Sequence, residues 1–332
     1  MKVLAKWIAI AIGIALLMWS FSQADLRSML ATIQKMGWLA PLLLLPYFFV
    51  YLIDCLAWRF SFPSNPPIPF RTLFQIRWAG ESLNNIVPSA YIGGEALKVL
   101  MLQRYGVPAT NATTSAVVSK TAQTVAQVLF IAIAALIFIK IAGHHPGLKT
   151  GMLVIGLSSI LVVVALFWIQ HRGLMSLLSH VARLIRLPIE RLGAHRPKIE
   201  EVDRAILGFY RHHSDRFLAS SSCYFGGWML DTMEIWLASH LLGLPINWWQ
   251  ALCIEAFTGV AKALGMWVPG SLGVQESSIV LLGRLAGLPD TLSFTYALLR
   301  RGRELVFVAI GWLIFYRLQF VLQLPSSVGK TR

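Results

Sequence analysis

Charge is scarce in this chain. Only 13% of its 332 residues are Asp, Glu, Lys or Arg, 56% are hydrophobic and the mean hydropathy is +0.65. Soluble domains keep about a quarter of their residues charged, so that class is excluded. Cysteine is nearly absent. Cys55, Cys223 and Cys253 lie in apolar stretches where a thiol packs as a small core residue, which leaves no disulfide framework and no metal site. Acids are the rarer sign, 15 against 29 Lys and Arg. The resulting charge of +14 does not read as a nucleic-acid surface, because the positive residues flank apolar runs, where they set orientation and meet anionic lipid. Catalytic signatures are missing too: no P-loop, HExxH, GxSxG or cofactor motif occurs, so no cofactor is expected and ATP is excluded as an energy source.

What the chain has in quantity is long apolar runs, at 3–20, 37–58, 124–142, 151–169 and 305–316. Each is helical by length and by its lack of turn residues. The first lacks a small-residue cleavage site, since Trp19, Phe21 and Gln23 stand there, so it is expected to remain as a span. The segment 171–213 carries Arg172, Arg183, Arg186, Arg191, Arg196, Lys198, Arg204 and Arg211 against Glu190, Glu200, Glu201 and Asp203. Positive loops stay in the cytoplasm, and the apolar spacing over 174–192 predicts an amphipathic helix on the inner leaflet. Spans at 3–20, 37–58, 111–142, 151–170, 217–243 and 290–319 then place both termini inside.

The chain also repeats itself. V-P-S-A-Y-I-G-G-E at Val87–Glu95 and V-P-G-S-L-G-V-Q-E at Val268–Glu276 lie 181 residues apart, and that offset gives 11 identities over positions 83–116 without a gap. Two halves follow, 1–142 and 151–319, within one membrane domain covering 1–332. Each motif sits in a segment too polar and too interrupted for an ordinary span, 70–105 in the first half and 250–287 in the second. Pro88, Gly93, Gly94, Pro269, Gly270 and Gly273 are read as the turns of re-entrant helical hairpins, which survive only where protein or water covers the broken backbone. Three crossings separate the hairpins. The expected fold is therefore an all-α integral membrane protein, an inverted repeat of two halves, each of three transmembrane helices plus one re-entrant hairpin. Two full spans in each hairpin remain the alternative.

Ionisable groups inside spans cost roughly 2.5 to 3.5 kcal/mol each and mark function by default. Lys120 and its repeat partner Arg301 lie about 14 and 17 Å from opposite ends of their spans, at the midplane. Arg300 and Arg303 stand beside Arg301, with Glu304 at the spacing of a pair with Arg300. The excess positive charge is expected to face a cavity and hold an anionic head group, helped by Asn84, Asn85, Arg77 and Lys98 of the first hairpin. Neutralisation by Asp231 and Glu234, at similar depth, is the structural alternative. Glu95 and Glu276 follow the helix breaks at equal distance, where an acid caps the helix or handles a proton.

At these residues the chain resembles the lysylphosphatidylglycerol synthase transmembrane-region family of flippase-like proteins, and within it those associated with hopanoid biosynthesis. The resemblance rests on N-x-x-x-P-x-x-x-x-G-G-E-A-L-K at Asn84–Lys98, V-P-G-S-L-G-V-Q-E-S at Val268–Ser277 and L-L-R-R-G-R-E-L at Leu298–Leu305. It implies a lipid transporter of the bacterial inner membrane, moving an anionic lipid between leaflets through a central polar cavity with a coupling proton as second partner. Lys120 departs from the acid or arginine expected there. The chain stops at Arg332, so the aminoacyl transferase half of full synthases is expected to be absent and the chain is not expected to be an enzyme. An intramembrane lipid-modifying transferase and a non-catalytic member of a lipid-synthesis complex are the rival readings.

Overall fold

A computed structural model describes residues 15, 18, 22, 26–87, 92–141, 146–172, 196–265 and 268–323. Among these every regular element is helical: α1 (Leu26–Met36), a 3-10 stretch (Gly37–Leu43) running into α2 (Leu44–Phe60), α3 (Phe70–Ile86), α4 (Ile92–Arg104), α5 (Ala109–Ile141), α6 (Pro146–Arg172), α7 (Arg196–His212), α8 (Ser214–Leu241), α9 (Trp248–Leu264), α10 (Val274–Leu285) and α11 (Asp290–Gln323). The 181-residue offset reappears in their bounds. Phe60 and Leu241 end α2 and α8, Arg104 and Leu285 end α4 and α10, and Ala109 and Asp290 begin α5 and α11.

Length separates the helices into two kinds. Gly37–Phe60 and Ala109–Lys140 are long and apolar enough to cross a membrane by length and composition. At 1.5 Å per residue the 33 residues of α5 extend about 50 Å, well past a hydrocarbon core of about 30 Å. The 13 residues of α4 and the 12 of α10 reach only about 20 Å and 18 Å. Large apolar side chains stand outward on α6 and α11, among them Leu157 (65% exposed), Leu161 (69%) and Leu313 (71%), a surface that suits lipid rather than water.

Small residues set the closest crossings. α8 packs along α2 more extensively than any other pair, with Gly227 against the Asp54 carboxylate. α3 crosses α11 at Gly311, where a Cβ would fall 1.8 Å from Ser82 Oγ. The repeat counterpart of that contact, α9 against α5, is also present.

Several expectations need correction. Gly93 and Gly94 lie in the first turn of α4 rather than in a turn between helices. Gly94 is a contact glycine: its N–H donates to Asn84 Oδ1 at 2.8 Å, and a Cβ there would meet the Gly80 carbonyl at 2.2 Å. Gly270 (φ +57°) and Gly273 (φ +76°) do occupy the left-handed backbone that a turn demands, at the 3-10 segment Pro269–Ser271. At the edges of the 171–213 segment, α6 runs to Arg172 and Arg196–His212 forms a helix packed on α5 and α6; 173–195 lies outside the described residues. Pro88, the span at 3–20 except residues 15 and 18, and the amphipathic helix over 174–192 lie outside the described residues.

Candidate functional site

Burying a charge in an apolar interior is tolerable only when it is paired and hydrogen-bonded. Two networks satisfy that rule, one in each half. In the first, Arg77 of α3 donates to Asp54 Oδ2 of α2 at 2.6 Å and lies 3.7 Å from Glu81 one turn along its own helix. Lys98 of α4 donates to Glu95 Oε1 at 2.6 Å, stands 3.5 Å from Glu81 and sits 5.5 Å above the Trp58 ring. Together these pairs tie α2, α3 and α4 into one unit. The Tyr224 hydroxyl of α8, 3.5 Å from Arg77, reaches into it from the other half.

The second network is denser. Arg300 of α11 forms a two-pronged pair with Glu255 of α9, Nη2 reaching Oε1 at 2.8 Å and Nη1 reaching Oε2, and Nη1 also donates to Tyr296 at 3.2 Å. Such fork-to-fork geometry is the strongest pairing a carboxylate offers. Arg303 pairs with Glu234 of α8 and lies 3.5 Å above the Tyr47 ring of α2. Arg301 donates to Glu276 Oε1 at 2.6 Å, Glu304 Oε2 at 2.9 Å and the Gly270 carbonyl at 3.0 Å. Glu276 in turn accepts the Gly273 N–H at 2.8 Å, which makes it the cap of α10.

These contacts pair each arginine of the α11 cluster with an acid. Arg300 takes Glu255, Arg301 takes Glu276 and Glu304, and Arg303 takes Glu234. Glu304 serves Arg301 and Lys262 rather than the Arg300 expected from helical spacing. Apart from Glu304 on α11 itself, the acids come from α8, α9 and α10, helices whose approach to α11 spacing along the chain does not reveal.

Between the networks lies a cavity of about 210 Å³. Five bases (Arg77, Lys120, Lys262, Arg300 and Arg303) and four acids (Asp54, Glu81, Asp231 and Glu255) line it, a formal balance of +1. Tyr47, Tyr51, Trp228, Asn85, Gln123, Thr124 and Gln127 complete a wall built from both halves. The buried Asp231 Oδ1 lies 4.0 Å from Arg303 Nη1 and has no hydrogen-bond partner among the described residues. Of the other residues singled out from sequence, Asn84, Lys98, Glu95, Glu234, Glu276 and Arg301 stand behind the wall in the pairings already given. Gly270 also approaches the Asn85 carbonyl, so the second hairpin's tip meets the end of α3 beside Arg301.

Sequence reasoning missed Asp54, and it passed over Glu81 and Glu255 as general hairpin polarity. Asp54 had a signal of its own, a carboxylate inside the apolar run 37–58, and the cost of intramembrane charge marks it as surely as it marked Lys120. Tyr47, Tyr51 and Trp228 gave none, because aromatic residues in apolar helices are common.

Comparison with known proteins agrees with this architecture. The chain is 24% identical over 320 residues to a UPF0104 membrane protein of Pyrococcus horikoshii, covering 89% of this chain and 92% of that one. The family model of the lysylphosphatidylglycerol synthase transmembrane region matches residues 6–311. Neither match separates a hopanoid-associated branch from the rest. With a model matched over nearly its whole length, this all-helical chain belongs to the lysylphosphatidylglycerol synthase transmembrane-region family of membrane proteins.

Proposed function

We propose that the protein is a lipid transporter that carries an anionic lipid or lipid-phosphate head group between leaflets through the central cavity. The observation that carries this reading is a charged cavity of about 210 Å³ walled by both repeat halves in a membrane protein. A head group crossing the bilayer core loses most of its water, and a lining of preorganised charges and amides replaces those contacts. The small positive balance suits a head group with one net negative charge. Asp231, which lines the cavity and keeps one buried oxygen without a hydrogen-bond partner among the described residues, is the site for a coupling proton. Catalysis forms no part of the reading.

In this proposal the halves are inverted and the short pairs α3–α4 and α9–α10 are re-entrant hairpins, for which their lengths of 12 to 17 residues speak. The protein lies in the cytoplasmic membrane with both termini inside, supported by Arg196, Lys198, Arg204 and Arg211 on α7. The test is translocation of labelled lipids in phosphatidylcholine vesicles containing the purified protein. Labelled phosphatidylglycerol should cross faster than in protein-free vesicles and more slowly with Lys120→Gln. No acceleration for any anionic lipid in the panel refutes the reading.

A further inference from the structure

The central cavity has an apolar neighbour. Beside it, along an adjoining face of α5, a groove of about 320 Å³ runs between α5, α6 and the start of α4; Ala116, Val117, Leu166, Ile169 and Ile92 form its apolar walls, and Glu95, paired with Lys98, stands on its α4 side. Lys120 and Thr124 line both the groove and the polar cavity. They lie one helical turn apart on the same face of α5, so they form a threshold between a charged chamber and an oily one. A polar knot forms part of the groove's lining, Thr121 accepting from Gln170, which accepts from Tyr210 at 2.7 Å.

We propose that the groove seats a hydrocarbon chain of the lipid whose head group the cavity holds, with chain and head group joined at Lys120 and Thr124. This rests on the transport reading above and names its substrate as a molecule needing both environments side by side. A free anion or a soluble sugar phosphate needs only the polar chamber. A neighbouring apolar helix needs only the groove. A lipid with an anionic head group fills both, and its apolar part stays out of the charged wall.

Photolabelling tests this. The protein is placed in phosphatidylcholine nanodiscs containing phosphatidylglycerol with a diazirine on one acyl chain, irradiated, and the labelled residues are mapped by mass spectrometry. Labelling of Val117, Leu166 and Ile169 should exceed that of the outward Leu157 and Leu161 severalfold. Val117→Trp should remove that excess and leave Leu157 and Leu161 labelled, with Ile169→Trp as the second variant if the first does not fold. The excess should fall at least twofold when the same chain is carried on phosphatidylcholine, or when Lys120 is replaced in Lys120→Gln. Equal labelling of groove and outer face overturns the proposal, as does an excess indifferent to both head group and Lys120. Labelling requires no net movement of lipid. A head-group-dependent excess in a protein that translocates nothing therefore strikes the transport reading alone and leaves the two-chamber site standing.

Discussion

The pair Arg300–Glu255 offers the sharpest check on how this interior is built. Both side chains are buried, at 4% and 1% exposure, and two hydrogen bonds join them across α11 and α9. Glu255→Gln keeps the shape and removes the charge, leaving the guanidinium bonded to one tyrosine hydroxyl and a neutral amide. Breaking one side of a buried pair costs roughly 3–5 kcal/mol, mostly from the uncompensated partner. Arg300→Met should cost a similar amount through the orphaned carboxylate. The double variant Arg300→Met/Glu255→Leu removes both charges and should lie close to wild type or above it, since apolar replacement of a whole buried pair is often neutral or stabilising by about 1–4 kcal/mol. Denaturant unfolding of the detergent-solubilised protein measures all three. The folded double variant should also translocate lipid more slowly, because Arg300 lines the cavity. A Glu255→Gln protein within about 0.5 kcal/mol of wild type, the range of an ordinary surface change, refutes the argument that Arg300 depends on its partner.

Other outcomes follow from single contacts. Arg301→Gln breaks the links to Glu276, Glu304 and the Gly270 carbonyl, so it should loosen the second hairpin's tip by roughly 3 kcal/mol; faster proteolysis or thiol labelling at an introduced Ser271→Cys reports this, and unchanged labelling removes Arg301 from that role. Gly94→Ala drives a methyl into backbone and should cost about 1–3 kcal/mol or more, whereas Gly302→Ala, a helical glycine with nothing within 4 Å, should be neutral or stabilising by up to about 1 kcal/mol; thermal unfolding of the pair compares them. At the surface, the Arg284 side chain bonded to Asp290 at 2.8 and 3.0 Å holds that carboxyl below its ordinary value. A depressed carboxylate contributes its stability above the unfolded value and loses it as pH falls through the folded one, so Arg284→Gln should lower stability slightly at neutral pH and converge with wild type in acid, which flattens the acid limb of a stability profile.

Some of this protein was written along the chain and some was not. Membrane character was legible because hydropathy sums over contiguous residues, as in 37–58 and 124–142. The 181-residue repeat was legible because duplication preserves order, and the helix bounds keep the same spacing. Glycines with positive φ at 270 and 273 followed from a conformation that few other residues tolerate. Family membership followed from motifs of the same local kind.

Charge partners were not legible, because they depend on which helices meet. Arg300 and Glu255 are 45 residues apart and Arg301 and Glu276 are 25 apart, and only the packing of α9 and α10 against their neighbours brings each acid to its arginine. The i, i+4 spacing of Arg300 and Glu304 pointed elsewhere and lost to a better fork on α9. The same assembly moved Arg301 behind the cavity wall and put Asp54, Glu81 and Glu255 on it. Sequence thus determined that many charges lie inside the membrane region. Tertiary structure decided which of them pair with each other and which face the cavity, because in an apolar interior each charge takes the nearest partner that the helix crossings deliver.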